Sequence, residues 1–382
     1  MNLREKPPQF ETAPEVIKLP EFDVREERGT TLLSILLKGY DFDWGGHYHQ
    51  LSGEIKNFFE QNPLDEKATK FLEEIKILED DGTDEEALYN IALTYKQPER
   101  EEELFNFINE YKDYIEDPQK LQSELFSVLE QLENDLPSEL MNQFIKATNE
   151  DIKKRESAIQ EIQERIKDLI DFFKPSPQTT KVEKITILPT DFLYRKESGS
   201  AFEFGNEIIL RSHIDNPGGL EHEFLHSVIN PIIDKLSEKL SDEQKQKIIN
   251  FGSYKLRAEQ SYGENFYILL CEEFIRTYND VIQRGEKAMN SEDFAQRING
   301  IDEDKFMELI QENKNLKSNC DQLEIKNSQD LKDKSKEYFD KFEHNKLREI
   351  IFNFYQRYIQ EKEKDDKINF EEFVLKEFKE EI

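Results

Sequence analysis

Cysteine is scarce in this chain, with Cys271 and Cys320 the only two in 382 residues. The first falls in an expected helix and the second in a polar segment, so a disulfide framework is not what holds the fold. Positive charge is short as well. Lys and Arg number 52 against 83 Asp and Glu, a formal net charge of −31. So acidic a surface repels phosphate backbones and anionic headgroups, which argues against nucleic acid and membrane surfaces as partners. The one basic cluster, Lys153-Lys154-Arg155, sits between Asp151 and Glu156 and reads as a solvated helix face. No stretch approaches the ~18 apolar residues that span a bilayer, so membrane insertion is not expected. The start, Met1-Asn2-Leu3-Arg4-Glu5-Lys6-Pro7-Pro8, has no apolar signal-peptide core. The expectation is a soluble protein, cytoplasmic, or exported if a leader has been removed.

Glycine is also sparse, at 14 positions, while 35% of residues are charged, a balance that favours long amphipathic helices. Against the polar average stand 28 phenylalanines, enough to build a sizeable core and to exclude a disordered chain. The first half reads as successive helices. Apolar residues recur at spacings of three and four through Phe58-Phe59, Phe71-Leu72, Ile75 and Leu78, then Leu88, Ile91 and Ala92, then Leu121, Leu125 and Leu129. A charged helix is expected over Asp151 to Phe173, with Ile152, Ile159, Ile162, Ile166, Leu169 and Ile170 on one stripe. Pro63, Pro98, Pro118 and Pro137 fall near helix starts, where a missing N–H costs nothing.

Lys174-Pro175-Ser176-Pro177-Gln178-Thr179-Thr180 interrupts the pattern and suggests a hinge over 174–180. Strand signals follow at Lys184 to Leu188 and at Phe202 to Arg211, with Gly205-Asn206 suited to a hairpin or bulge. Helices then resume, including one long charged segment over Ser328 to Lys362 and a closing one over Phe370 to Phe378. The expected division is a mostly helical region at 1–173, a core at 181–284 and a helical region at 285–382. The fold class is α+β, predominantly helical.

The core carries the chemistry. Asn216 reads as a cap and Pro217 as the first residue of a helix that ends at Ile229, before Pro231. In its middle stands His222-Glu223-Phe224-Leu225-His226. Histidines four apart project from one helix face and can share a Zn²⁺, and Glu223 beside them can take a proton from a zinc-bound water. Phe224, Leu225, Val228 and Ile229 would bury the rest of the helix. The chain has only six histidines, so two falling at this spacing around a glutamate by chance is rare.

Catalytic zinc keeps three protein ligands and one open position. No histidine follows His226 until His344, so a carboxylate from the expected helix over Tyr262 to Ile282 is the better third ligand. Glu272 falls at the edge of that helix's apolar face and Glu273 further toward solvent. Periodicity leaves two readings open: Glu272 on the metal, or an ordinary pair of surface glutamates, one of them bound to Arg276.

These residues resemble a bacterial family regarded as zinc metallopeptidases and catalogued only as a domain of unknown function. Its motif, His-Glu-Phe-Ser-His-Ser-Phe-Val-Asn-Pro, is similar to His222 through Pro231. A Tyr-Gly pair, followed about nine residues on by Glu-x-x-Val-Arg, matches Tyr262-Gly263 and Glu272 to Arg276. The opening, Thr31 to Tyr40 with Tyr48 and Phe58-Phe59, is similar too, and the likeness covers roughly 15 to 285. The sequence departs from the family at Leu225, Val228 and Cys271, and the region 285–382 lies outside the match. The resemblance implies a gluzincin: a zincin-like core at 181–284, with His222, His226, Glu272 and a water on Zn²⁺, and Glu223 as general base on a peptide or protein substrate.

For such a peptidase the strand Glu207 to Arg211 would offer a free edge to an extended substrate. A developing oxyanion wants a further donor. Tyr262 is the leading candidate, then Tyr254 and His213, although a tyrosine near a helix start more often packs. His47-Tyr48-His49 points its imidazoles to different faces and reads as structural. Asp41 and Asp43, near Trp44-Gly45-Gly46, suit a turn as well as a cation. The competing class is an inactive scaffold that binds proteins, for which an intact Glu223 would have no use.

Overall fold

The computed structural model describes residues 16–25, 27–40, 51–80, 85–97, 100, 117–154, 156–189, 199–212, 217–251, 265–283, 285, 291–312, 314–343 and 345–382. Helices dominate them and one four-stranded sheet accompanies the helices, so the fold is α+β and predominantly helical. Two units divide the chain, one of Val16–Phe172 and Thr180–Leu225, the other containing Phe173–Thr179 and His226–Ile382.

In the first unit, strand β1 (Glu21–Val24) leads into helix α1 (Arg28–Gly39). Among the described residues, five helices follow: α2 (Ser52–Gln61), α3 (Glu66–Asp80), α4 (Glu85–Ala92), α5 (Pro118–Asp135) and α6 (Ser138–Lys154). Asp117 caps α5 by accepting from the Lys120 amide, with Pro118 at the first turn, where its missing N–H is harmless. Helix α7 is Glu156–Phe173. The helix expected over Asp151 to Phe173 thus falls on the last turn of α6 and all of α7, with Arg155 outside the described residues. Met141, Phe144 and Ala147 carry the buried face of α6, while Ile162, Ile166, Leu169 and Ile170 carry that of α7.

Strands β2 (Lys184–Pro189), β3 (Gly199–Phe204) and β4 (Glu207–Ser212) complete the sheet in the order β1-β2-β4-β3. The first three in that order run parallel, and β3 returns antiparallel to β4 through Gly205-Asn206. Gly205 takes a φ of 56°, the left-handed conformation a glycine adopts without penalty. Strand β1 has four residues and too little pattern to announce itself. The free edge expected on Glu207 to Arg211 is absent. β4 lies inside the sheet, bonded to β2 on one side and β3 on the other. Ile185, Ile187, Ile208, Ile209 and Leu210 are all buried, as strands covered on both faces require.

One core joins the helices to the sheet, from Leu32, Leu33 and Leu36 of α1 through Leu129 of α5 to Phe202, Phe204 and Ile209. Beside it, Arg100 bonds Glu27, at the start of α1, and Glu207 of β4, at 3.4 and 3.3 Å.

Helix α8 (Pro217–Ser237) begins in the first unit and ends in the second, passing through Pro231 rather than stopping before it. The proline removes one N–H, that to the Ser227 carbonyl. Burial of Ile232, Ile233 and Leu236 carries the helix on regardless. Helices α9 (Asp242–Phe251) and α10 (Phe266–Thr277) follow, the latter capped by Asn265 through the amides of Tyr267 and Ile268. A π-helical turn, Tyr278–Gln283, extends α10.

Five short helices come next: α11 (Ser291–Asn299), α12 (Glu303–Glu312), α13 (Lys314–Gln322), α14 (Ser328–Asp333) and α15 (Ser335–Tyr338). They enclose their own core around Phe306, Cys320 and Phe342. Helices α16 (Lys346–Lys364) and α17 (Phe370–Glu377) close the unit. The single segment expected over 328–362 is thus broken, with Asn327 capping α14 and Asn345 capping α16. Lys174-to-Thr179 is tied to α17, where Glu371 accepts from Thr179 at 2.5 Å and from Lys235 at 2.6 Å.

Candidate metal centre

Helix α8 owes its rotation to its apolar residues. Leu220, Phe224, Leu225, Val228 and Ile229 are buried, leaving His222, Glu223, His226 and Asn230 half-buried on the remaining arc. Helix α10 is apolar nearly all round, with Leu269, Leu270, Phe274 and Ile275 at zero exposure. A carboxylate set in such a helix needs a partner.

Glu272 has two. Its Oε1 lies 3.5 Å from Nε2 of His226, and its Oε2 accepts from Nε of Arg276 at 2.9 Å. One ligand atom from each of His222, His226 and Glu272 lies within 4.8 Å of the others, and the group could hold a metal ion. Bonds of about 2.0–2.2 Å set the edge of a tetrahedron at about 3.3–3.6 Å, the separation that His226 and Glu272 already have. Two imidazoles and one carboxylate are a donor set that suits a divalent transition metal with a position to spare.

Nδ1 of His226 lies 3.3 Å from Oδ1 of Asn230, one turn along the helix. An amide oxygen only accepts, so this contact places the ring proton on Nδ1 and leaves the Nε2 lone pair facing Glu272. In that tautomer, Nε2 and the Glu272 carboxylate present two electron pairs to one another at 3.5 Å. A cation between them would satisfy both, as would a second proton on the His226 ring.

Glu273 does not behave as its place on the helical wheel suggests. It is 1% exposed against 7% for Glu272, so it faces inward, not toward solvent. Helix α16 covers that side, and Asn345 donates to Glu273 Oε1 at 2.6 Å. Burial pushes the Glu273 carboxyl up, with Arg348 and Asn345 working against it. Arg276, expected on one of the two glutamates, sits on Glu272. Arg276 and the metal position thus share one carboxylate, one oxygen each.

Cys271, beside Glu272, does not join the group of His222, His226 and Glu272, and burial pushes its thiol up. Tyr267 reaches the Asn230 carbonyl at 3.5 Å, and burial likewise raises its phenol. On the other side of the motif, Glu221 is 1% exposed and paired with Arg165 at 3.1 Å.

The structure thus gathers His222, His226 and Glu272 and places Glu223 on the same helix, next to His222. Tyr262, Tyr254, His213, Asn216, His47, His49, Asp41 and Asp43 lie outside the described residues. Asn230 and Asn345 were not foreseen. The first had a signal, its spacing of four from His226; the second had none, since only tertiary packing brings it to α10. Comparison of the chain with protein-family models, with curated proteins and with solved structures finds no match in any of the three.

Proposed function

We propose that the protein is a zinc-dependent peptidase of gluzincin type, with a zincin-like core, that hydrolyses a peptide or protein substrate. The observation that carries this reading is the convergence of His222, His226 and Glu272 from two helices, with Glu223 set between the histidines in sequence. A zinc ion held there would supply Lewis acidity to a water and to the scissile carbonyl. Glu223 takes the proton from that water as its oxygen bonds to the carbonyl carbon, then passes it to the leaving amine as the C–N bond breaks. His222, His226 and Glu272 would hold the metal, and Arg276 occupies the second oxygen of Glu272. Since β4 is internal, an extended substrate would have to pair elsewhere, and β3 is the sheet's antiparallel outer strand.

Metal analysis combined with Glu223→Gln tests the reading. Retained zinc with hydrolysis of a peptide library reduced by ~10²–10⁴-fold supports it. Equal activity in the variant removes Glu223 from the role of base. Zinc bound by a wild-type protein that cleaves nothing in the library would favour an inactive scaffold that binds proteins. Failure to bind zinc when it is supplied would end the metal reading.

A further inference from the structure

We propose that Asn230 is a positioning residue that fixes the tautomer and ring orientation of His226, so that Nε2 is the atom offered to the metal. The proposal rests on the zinc reading above and deepens it. Its geometry is local to α8. Residues 226 and 230 are four apart, so their side chains lie one above the other on the half-buried arc, and Nδ1 of the one meets Oδ1 of the other at 3.3 Å. The opposite ring nitrogen points at Glu272, at 3.5 Å.

The two contacts are coupled through the ring. A neutral imidazole carries one N–H, and whichever nitrogen holds it cannot bind a metal. With the amide oxygen toward the ring, the proton belongs on Nδ1 and the Nε2 lone pair is the one offered to a metal. If the amide were reversed, its NH₂ would donate to Nδ1, and Nε2–H would donate to Glu272. That arrangement closes the site without a metal. The orientation seen here, with the amide oxygen toward Nδ1, is the one that leaves Nε2 to a metal.

Its own backbone is held as well. The Asn230 carbonyl accepts from Tyr267 of α10, so the helix that supplies Glu272 also touches the residue that aims His226. A neutral amide oxygen suits the task, because it accepts from Nδ1–H without adding a negative charge to a group that already contains Glu272.

Two measurements on the full chain test this. The first is the tautomer of His226 in metal-free wild-type protein, from two-bond ¹H–¹⁵N correlations of the ring. A proton on Nδ1 is expected; a proton on Nε2 overturns the proposal without any variant. The second is zinc affinity by chelator competition for wild type, Asn230→Ala and Asn230→Asp. Asn230→Ala should lose about ten- to a hundredfold in affinity and show mixed tautomers, while Asn230→Asp, which keeps an acceptor, restores both. Zinc bound as tightly by Asn230→Ala as by wild type overturns the positioning role and leaves the metal site standing. Wild-type protein that binds no zinc overturns both.

Discussion

Oε1 of Glu272 lies 3.5 Å from Nε2 of His226, while the neighbouring Glu273 turns the other way and is bonded to Asn345. Two consecutive carboxylates on one helix therefore face two different partners, a histidine of the candidate metal group and a helix cap. Removing the charge at each should separate them. Glu272→Gln should lower zinc affinity by more than the ten- to hundredfold typical of losing an outer partner, since it weakens a ligand. Glu273→Gln keeps an acceptor for Asn345 and a shape that fits, so zinc affinity should stay near wild type. Chelator competition on the two variants checks this, and the reverse order would move the ligand to Glu273. Alanine at 273 is the wrong probe, because a fully buried side chain would be lost along with the charge.

Acid stability should depend on Glu207. Burial works to raise its carboxyl, but the Thr186 hydroxyl and the charges of Lys184 and Arg100 outweigh burial and hold its pKa below the usual value. A group depressed in the folded state stabilises the fold above its unfolded pKa of about 4.3. That contribution disappears as pH falls through the lower folded value. Glu207→Gln should cost about 1.5–3 kcal/mol near neutrality, the range for a charged hydrogen bond. Denaturant melts should show the gap between variant and wild type closing as pH drops, and a gap constant with pH would contradict the linkage.

Helix α1 should not tolerate a methyl group at Gly29. A Cβ there would overlap the Ala92 carbonyl oxygen, a backbone atom of α4 that cannot rotate away. Gly53, in α2, has open space around the same position. Gly29→Ala should therefore destabilise by about 1–3 kcal/mol, as overpacking does. Gly53→Ala should stabilise by up to about 1 kcal/mol through helix propensity. Thermal melting of both variants measures the difference, and similar shifts would mean that α1 and α4 are less closely packed than described.

Local chemistry made much of this legible. His222, Glu223 and His226 lie on one helix face because of a spacing that any helix would give them. The β2 strand and the β3–β4 hairpin followed from β-branched alternation and a Gly-Asn turn. What stayed hidden was set by tertiary contacts. Pro231 looked like a stop, yet Ile232, Ile233 and Leu236 gain enough by burial to continue the helix past it. Glu273 looked solvated because nothing in its own helix reveals that α16 covers it. β4 looked like an edge because the parallel neighbour that occupies its other side, β2, is separated from it in sequence by β3.

The C-terminal helices, for which the sequence offered no role, bear on the metal position through an aromatic cluster. Phe274 is two residues from Glu272, and its ring meets Phe354 of α16, Phe370 of α17 and Phe378 within about 6 Å. Tyr355 stacks on Phe370 at 5.3 Å and donates to the Phe274 carbonyl at 3.1 Å. Phe370 is 1% exposed, so Phe370→Ala leaves a cavity beside Phe274 of α10, at a cost of about 3–5 kcal/mol. Because α10 is positioned by these rings, the same substitution should weaken zinc binding although it touches no ligand. Met307, 44% exposed, provides the control, and Met307→Ala should alter neither stability nor affinity. Calorimetric melting with chelator competition on both variants tests the link. A Phe370→Ala protein that is less stable but binds zinc at wild-type strength would show that α10 keeps Glu272 in place without its aromatic support.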